Sequence, residues 1–298
     1  MSAGRQQQAA WSPVTLQVDG RAVTLVDQRP VEDGPVDQGP VEQGQGEQRQ
    51  GDPVLLVHGA LSDYRYWSPQ IDALAARHRI VAPSLRHHYP ERWTPGAAYT
   101  VATHVADLFG LASALGLGPV HLLGHSRGAA VALRFALDHP NRIRSLVLVD
   151  PAVLADADPG RDAAQALANA GNEEGALASF IDATTGAGTW ARLKAVRRQR
   201  ASDNASTLLP QFAEPQPVFD PAELDRLAIP MLLIAGENSP GRYRRGAEWL
   251  ASRLPTARTI VVAGASHGVT AERAATVNAT LLDFWGEPVG AEPRRGPP

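Results

Sequence analysis

Val120-His121-Leu122-Leu123-Gly124-His125-Ser126-Arg127-Gly128-Ala129-Ala130 is the stretch from which the rest of the chain is read. A short apolar run breaks at two glycines around a serine and resumes as an alanine-rich segment. This pattern predicts a strand, a sharp turn and a helix. Any side chain at Gly124 or Gly128 would collide across so tight a turn, so Gly-x-Ser-x-Gly in this setting carries mechanical content. The turn lifts the hydroxyl of Ser126 out of the sheet. It also sets the backbone N–H of Arg127 at the first position of the helix, where an unpaired donor and the positive end of the helix dipole favour a developing negative charge.

Outward from this turn, strand and helix alternate. Pro53–Val57 is a continuous apolar run, the mark of a central parallel strand, and it ends in His58-Gly59-Ala60-Leu61. Trp67, Ile71 and Leu74 recur at helical spacing, and Arg79–Ala82 makes the next strand before Pro83. Val101, Val105, Leu108, Leu111, Ala112 and Leu115 form a further amphipathic helix ahead of the turn. Beyond it, Ile143–Val149 is a second apolar run closed by Asp150-Pro151. Nearer the N-terminus, Val14–Val18 and Ala22–Val26 flank Asp19-Gly20, a hairpin signal that predicts the antiparallel edge of the sheet. The expected fold is α/β: a mostly parallel, doubly wound sheet with its site at the carboxyl ends of the strands.

The rhythm lapses between residues 152 and 228. That stretch is helix-like and alanine-rich, with apolar clusters around Phe180-Ile181, Trp190-Leu193-Val196 and Leu208-Leu209-Phe212. It reads as an inserted helical cap. The strand–helix rhythm resumes with Ile229–Ala235, a helix around Tyr243–Leu254, the strand Arg258–Val262 and a last helix from Val269 to Trp285. The core is thus expected at 10–151 and 229–285. Residues 29–52 stutter through Pro30-Val31-Glu32-Asp33-Gly34 and two near-copies with almost nothing apolar to bury, which predicts a disordered loop. A Pro/Gly-rich tail is expected at 286–298.

Composition narrows the function. The chain has 298 residues, 44% of them hydrophobic, enough for one large domain with an insertion. A net charge of −3 lacks the excess of Lys and Arg with which nucleic acid or an anionic membrane is usually met. With no cysteine, disulfides and thiol catalysis are excluded. The first residues carry no signal-peptide-like apolar run, and no later run reaches the roughly 18 residues that cross a bilayer. The expectation is a soluble cytoplasmic protein with no nucleic-acid or membrane partner.

The order of these parts resembles the α/β-hydrolase fold superfamily over residues 10 to 285. Val57-His58-Gly59, Gly124-His125-Ser126-Arg127-Gly128 and Gly264-Ala265-Ser266-His267 are the motifs that carry the resemblance. It implies that Ser126 is the nucleophile and His267 its general base. It further implies an oxyanion hole made by the N–H groups of Ala60 and Arg127, with His58 structural. No cofactor is implied.

The chain departs from the family pattern at the acid. Relatives most often carry it in Gly-x-x-Asp after the penultimate strand, but here that segment is Gly236-Glu237-Asn238-Ser239. Asp150, at the end of the strand after the elbow helix, is the first candidate acid. Glu237 and no acid at all remain open. Where relatives often read Asp-x-Arg-Gly-x-Gly, this chain reads Ser84-Leu85-Arg86-His87-His88-Tyr89. Two adjacent histidines without a carboxylate at ligand spacing are a poor metal signal, so a substrate-facing or exposed loop is expected there. The basic run Arg192, Lys194, Arg197, Arg198 and Arg200 reads as a solvated helix face. The activity implied is hydrolysis of an ester, thioester or related acyl bond of a small hydrophobic substrate, with Phe180, Trp190 and Leu208 read either as its apolar surroundings or as the cap's own core. Lyase, cyclase or other cofactor-free chemistry at the same serine and histidine is the alternative, and a ligand-binding protein with a relict site is a second.

Overall fold

The computed structural model describes residues 11–30, 51–154, 159–215, 217–254 and 256–286. Most of the low-complexity stretch, residues 31–50, and the tail from 287 onward lie outside these. Gly51 and Asp52, expected in the loop, instead open a strand. Eight strands make one sheet: β1 (Val14–Val18), β2 (Arg21–Gln28), β3 (Gly51–Val57), β4 (His78–Pro83), β5 (Val120–His125), β6 (Ile143–Val149), β7 (Met231–Gly236) and β8 (Arg258–Val262). Their order is β1-β2-β4-β3-β5-β6-β7-β8. β1–β2 and β2–β4 are antiparallel, and every other pairing is parallel. The predicted hairpin turns on Asp19 and Gly20, both with positive φ.

The helices between strands are α1 (Ser68–Leu74), α2 (Val101–Ala114) and α3 (Arg127–Asp138), then α10 (Gly241–Arg253), and α11 (Val269–Glu272) and α12 (Ala274–Gly286) follow β8. Between β6 and β7 stand α4 (Pro159–Asn169), α5 (Glu173–Thr185), α6 (Thr189–Arg192), α7 (Ala195–Asp203), α8 (Leu208–Ala213) and α9 (Pro221–Leu224). No strand interrupts this insertion among the described residues. No helix of the described residues is long and apolar enough to cross a membrane.

The pleat explains why the central strands carry continuous apolar runs. Leu55, Val57, Leu122, Leu146, Leu148 and Leu233 face α2, α3 and α10 in one buried cluster. Their neighbours Val54, Leu56, Leu123, Val147, Val149, Leu232 and Ile234 face Trp67, Ile71, Leu74, Val277 and Leu281 in the other. Side chains of period two supply both faces, so the middle of each strand is apolar at consecutive positions, and the buried polar exceptions His121 and Ser145 pair with each other. α2 shows the helical counterpart. The Thr100 hydroxyl caps it by accepting the Thr103 N–H, and Val101, Val105, Leu108, Leu111 and Ala112 line its buried side.

The last helix is not continuous as expected. Arg273 interrupts it with φ −128° and ψ 44°. The break turns two adjacent side chains back toward the loop after β8. The Glu272 carboxylate accepts the Ser266 N–H at 2.7 Å, and the Arg273 guanidinium donates to the carbonyls of Ala263 and Gly264 at 3.3 Å.

At the end of β5 the chain turns sharply. Ser126 takes φ 55° and ψ −122°, a conformation that L-residues rarely adopt. Three backbone hydrogen bonds hold it: its N–H donates to Val149 O at 2.9 Å, and its carbonyl accepts from Ala129 at 3.0 Å and Ala152 at 3.2 Å. A Cβ added at Gly124 would meet the Gly128 carbonyl oxygen, and one at Gly128 the carbonyl oxygens of Val57 and His58. β3 and α3 therefore approach as closely as they do only because residue 128 has no side chain. Gly128→Ala is expected to destabilise the fold by roughly 3 kcal/mol or more, because backbone atoms have nowhere to retreat. Ser126→Ala should leave the urea midpoint near that of the parent, and paired urea titrations check both.

Candidate active site

The strands β3, β5, β6, β7 and β8 end level with one another, as the pairings Val57↔Gly124, His125↔Val149, Val149↔Ile234 and Gly236↔Val262 show. Loops leaving these ends carry the residues singled out from the sequence, and three of them meet. The Ser126 hydroxyl donates to Nε2 of His267 at 2.9 Å, and the opposite ring nitrogen, Nδ1, donates to Oδ2 of Asp150 at 3.1 Å. All three side chains are buried, Asp150 completely. Asp150 N–H donates to Ile234 O at 2.8 Å, which holds its backbone at φ 43°.

Burial by itself would raise the Asp150 carboxyl. Hydrogen bonds and charge from His267, with a further bond from the Ser239 hydroxyl, outweigh it and hold the carboxyl below its ordinary value. The His267 ring is fixed from both sides. Tyr243 stacks on it at 3.7 Å and 14°, while the His125 ring lies 4.7 Å away on a 39° tilt. His125 in turn stacks on Tyr66 at 4.9 Å, and its Nε2–H donates to the His267 carbonyl at 2.8 Å. Burial and the neighbouring imidazole push His125 down to about 3.

Neither Ala60 N–H nor Arg127 N–H finds a hydrogen-bond partner among the described residues, and both residues line the same cavity as Ser126. Glu237 stands apart from the imidazole. It is exposed, and its Oε2 accepts the Gly264 N–H at 2.7 Å. His58 ties two strand-end loops together: Nδ1–H donates to Gly59 O at 2.8 Å and Nε2 accepts the Leu85 N–H at 2.9 Å. Burial pushes its pKa down to about 4.

The adjacent histidines diverge rather than converge. His87 reaches Ala98 O, whereas His88 is buried between Ser62 O and the Tyr99 hydroxyl. The exposed loop expected there is in fact partly core. Among the described residues His125, Asp150 and His267 lie near enough to hold a metal ion. Both ring nitrogens of His267 and both carboxylate oxygens of Asp150 are engaged, with Ser126, Gly236, Ser239 and each other, and His125 Nε2 is held by the His267 carbonyl, which leaves only Nδ1 of His125 without a partner.

Residues 52–274 match the family described as alpha/beta hydrolase fold. The chain belongs to the α/β-hydrolase fold family. It is 29% identical over 247 residues to the putative carbamate hydrolase RutD of Caulobacter sp. strain K31, covering 78% of this chain and 89% of that one. It is 35% identical over 120 residues to Lipase LipV of Mycobacterium tuberculosis, a match spanning 38% of this chain and 42% of the lipase. In fold it is similar to the crystal structure of a hydrolase from Pseudomonas aeruginosa PA01, with a TM-score of 0.75 at 23% identity over 93% of this chain and 100% of that one.

In this α/β hydrolase the cavity that Ser126 lines is walled in large part by the insertion. Phe180, Thr184, Gln211 and Glu214 line it, together with Pro215 and Pro217. Of the two readings of Trp190 and Leu208, the structure favours core: they pack with Ala176, Leu177 and Phe212 of the insertion and with Leu61 of the loop after β3. The expected solvated face is largely present: Arg192, Lys194 and Arg197 are exposed, but Arg198 and Arg200 are half-buried.

The Arg127 side chain is the contact that the sequence does not reveal. Its guanidinium pairs with Glu214 at 2.7 Å, both side chains 10% exposed, and lies over the Tyr99 ring at 4.8 Å. Glu214 also accepts the Val101 N–H at 2.5 Å. The elbow, the start of α2 and the end of the insertion are joined at this one carboxylate.

The buried histidines make stability pH-dependent. An unfolded chain protonates His58 and His125 as pH falls through about 6.5, whereas the folded chain resists down to about 4 and about 3. Stability is therefore fully present above pH 6.5 and falls as pH falls below it. Each histidine steepens the fall by about 1.4 kcal/mol per pH unit. Urea titrations between pH 7.5 and 4.5 should show this slope, and His125→Asn should reduce it by about one proton.

Proposed function

We propose that this α/β hydrolase cleaves an ester, thioester or related acyl bond of a small substrate through a covalent acyl-enzyme on Ser126. The observation that carries the reading is the hydrogen-bonded line from Ser126 through His267 to Asp150, at 2.9 and 3.1 Å, beside two N–H groups without partners. In this reading His267 accepts the Ser126 proton at Nε2 as Oγ attacks the acyl carbon. Asp150 holds the proton on Nδ1, which keeps the tautomer whose Nε2 lone pair faces the serine, and it stabilises the imidazolium once formed. The N–H groups of Ala60 and Arg127 receive the oxyanion, and the first of them is aided by no side-chain chemistry of its own. Collapse of the tetrahedral adduct expels the leaving group with the proton from His267. Water then repeats the sequence to release the acid.

Residues 152–228 act as the cap in this scheme, supported by Phe180, Gln211 and Glu214 on the cavity wall. The apolar part of the substrate rests against Phe180, Ala130, Val153 and Leu154. The names of the relatives, a putative carbamate hydrolase and a lipase, agree with acyl chemistry.

A fluorophosphonate should add once, at Ser126, by intact mass and peptide mapping. Ser126→Ala should abolish the adduct; labelling that survives the change overturns the assignment. Turnover in 18O-water should place the label in the acid product, and its absence would point to lyase or cyclase chemistry at the same residues. For the acid, Asp150→Asn should lower kcat by about 10⁴ while Glu237→Gln lowers it less than about tenfold. The reverse ranking would move the acid to Glu237.

A further inference from the structure

The turn Gly236-Glu237-Asn238-Ser239 takes no part in the chemistry proposed above, yet it lies directly against Asp150. It closes on itself, Ser239 N–H donating to Gly236 O at 3.1 Å. The loop after β8 braces it: Glu237 N–H reaches Val262 O at 3.1 Å, and Asn238 N–H reaches Ala265 O at 2.8 Å. The Glu237 carboxylate adds its bond to Gly264. Four bonds thus set the turn without any help from Asp150.

From this braced turn two donors converge on one carboxylate. Gly236 N–H donates to Oδ1 of Asp150 at 3.1 Å, and the Ser239 hydroxyl donates to Oδ2 at 2.6 Å. Oδ2 is the oxygen that faces Nδ1 of His267. Asp150 is fully buried and Ser239 nearly so, so water does not substitute for a missing donor. The torsion that aims a carboxylate is broad and only roughly two-fold, so external donors must choose its angle. With a donor on each oxygen, the plane is set. Removing the hydroxyl would leave Oδ2 held by His267 alone, the very ring that the carboxylate is to orient.

We propose that Ser239 is a positioning residue for the hydrolysis: with Gly236 N–H it fixes the plane of the Asp150 carboxylate so that Oδ2 stays aimed at His267. The proposal rests on the assignment of Asp150 as the acid. It has a geometric corollary. Because Oγ of residue 239 lies 2.6 Å from Oδ2, a carboxylate carried on residue 239 brings an oxygen to the place that Oδ2 now fills.

The test uses the full chain with p-nitrophenyl butyrate as probe substrate. Ser239→Ala is expected to lower kcat about tenfold, the scale of one lost hydrogen bond to a buried charge, with KM within about twofold. Asp150→Ser is expected to lower kcat by roughly three orders of magnitude or more. The double variant Asp150→Ser/Ser239→Asp is expected to recover at least about tenfold over Asp150→Ser. Melting curves accompany every variant, and the single alanine change decides the matter if the double variant does not fold. An unchanged kcat in Ser239→Ala overturns the proposal, as does a folded double variant no more active than Asp150→Ser. Full activity in Asp150→Ser overturns instead the assignment of Asp150, a result distinguishable from both.

Discussion

The structure depends on a serine held where a serine does not wish to be. A non-glycine residue in the conformation of Ser126 costs on the order of 1–3 kcal/mol, and it persists because its surroundings over-determine it. Val149, Ala129 and Ala152 bind its backbone, while Gly124 and Gly128 let β3 and α3 close around it. Two other site loops share the strain. Leu61, next to Ala60, has φ 51°, and Asp150 has φ 43°. All three lie just past the carboxyl ends of parallel strands, where neighbouring strands fix the backbone and the loops diverge to leave a crevice.

Charge is managed around that crevice by burial balanced with donors. Asp150 stays ionised without water because Gly236, Ser239 and His267 supply hydrogen bonds to its two oxygens. The surrounding histidines do the reverse. His58, His88 and His125 sit in the interior with depressed pKa values and serve as neutral donors and acceptors between loops. His125 spends its Nε2–H on the His267 backbone, so a residue inside the elbow also positions the loop carrying the partner of Ser126.

The insertion is joined to this centre by ion pairing and backbone capping as well as by apolar contact. Arg161, near the start of the insertion, donates to the carbonyls of Gln211, Phe212 and Glu214 near its end, and the Glu214 side chain pairs with Arg127 in the elbow. A buried pair of this kind is costly to break because either partner alone would be left charged and unsolvated. The residue proposed to donate to the oxyanion is thus anchored through its side chain to the wall that faces the substrate.

Much of this was legible in the sequence because its causes are local. The apolar runs of β3, β5 and β6 report two covered faces, the spacing of Val101, Val105 and Leu108 reports one buried helical side, and the glycines at 124 and 128 report a turn too tight for Cβ atoms. Ser126 and His267 were singled out by the resemblance that the order of these elements carries, and the fold brings the two side chains within hydrogen-bond distance. The sequence left Asp150 and Glu237 both open, since each stands after a strand, and only the pairing of β6 with β7 and the path of the loop after β8 decide which faces an imidazole. Ser239 was legible only as a missing aspartate. Trp190 and Leu208 could not be told from substrate contacts, because an apolar side chain looks the same whether a ligand or a neighbouring helix covers it. Nor could the Arg127–Glu214 pair be foreseen: 87 positions separate its partners in the chain, and charge in a sequence says nothing of which opposite charge folding will bring beside it.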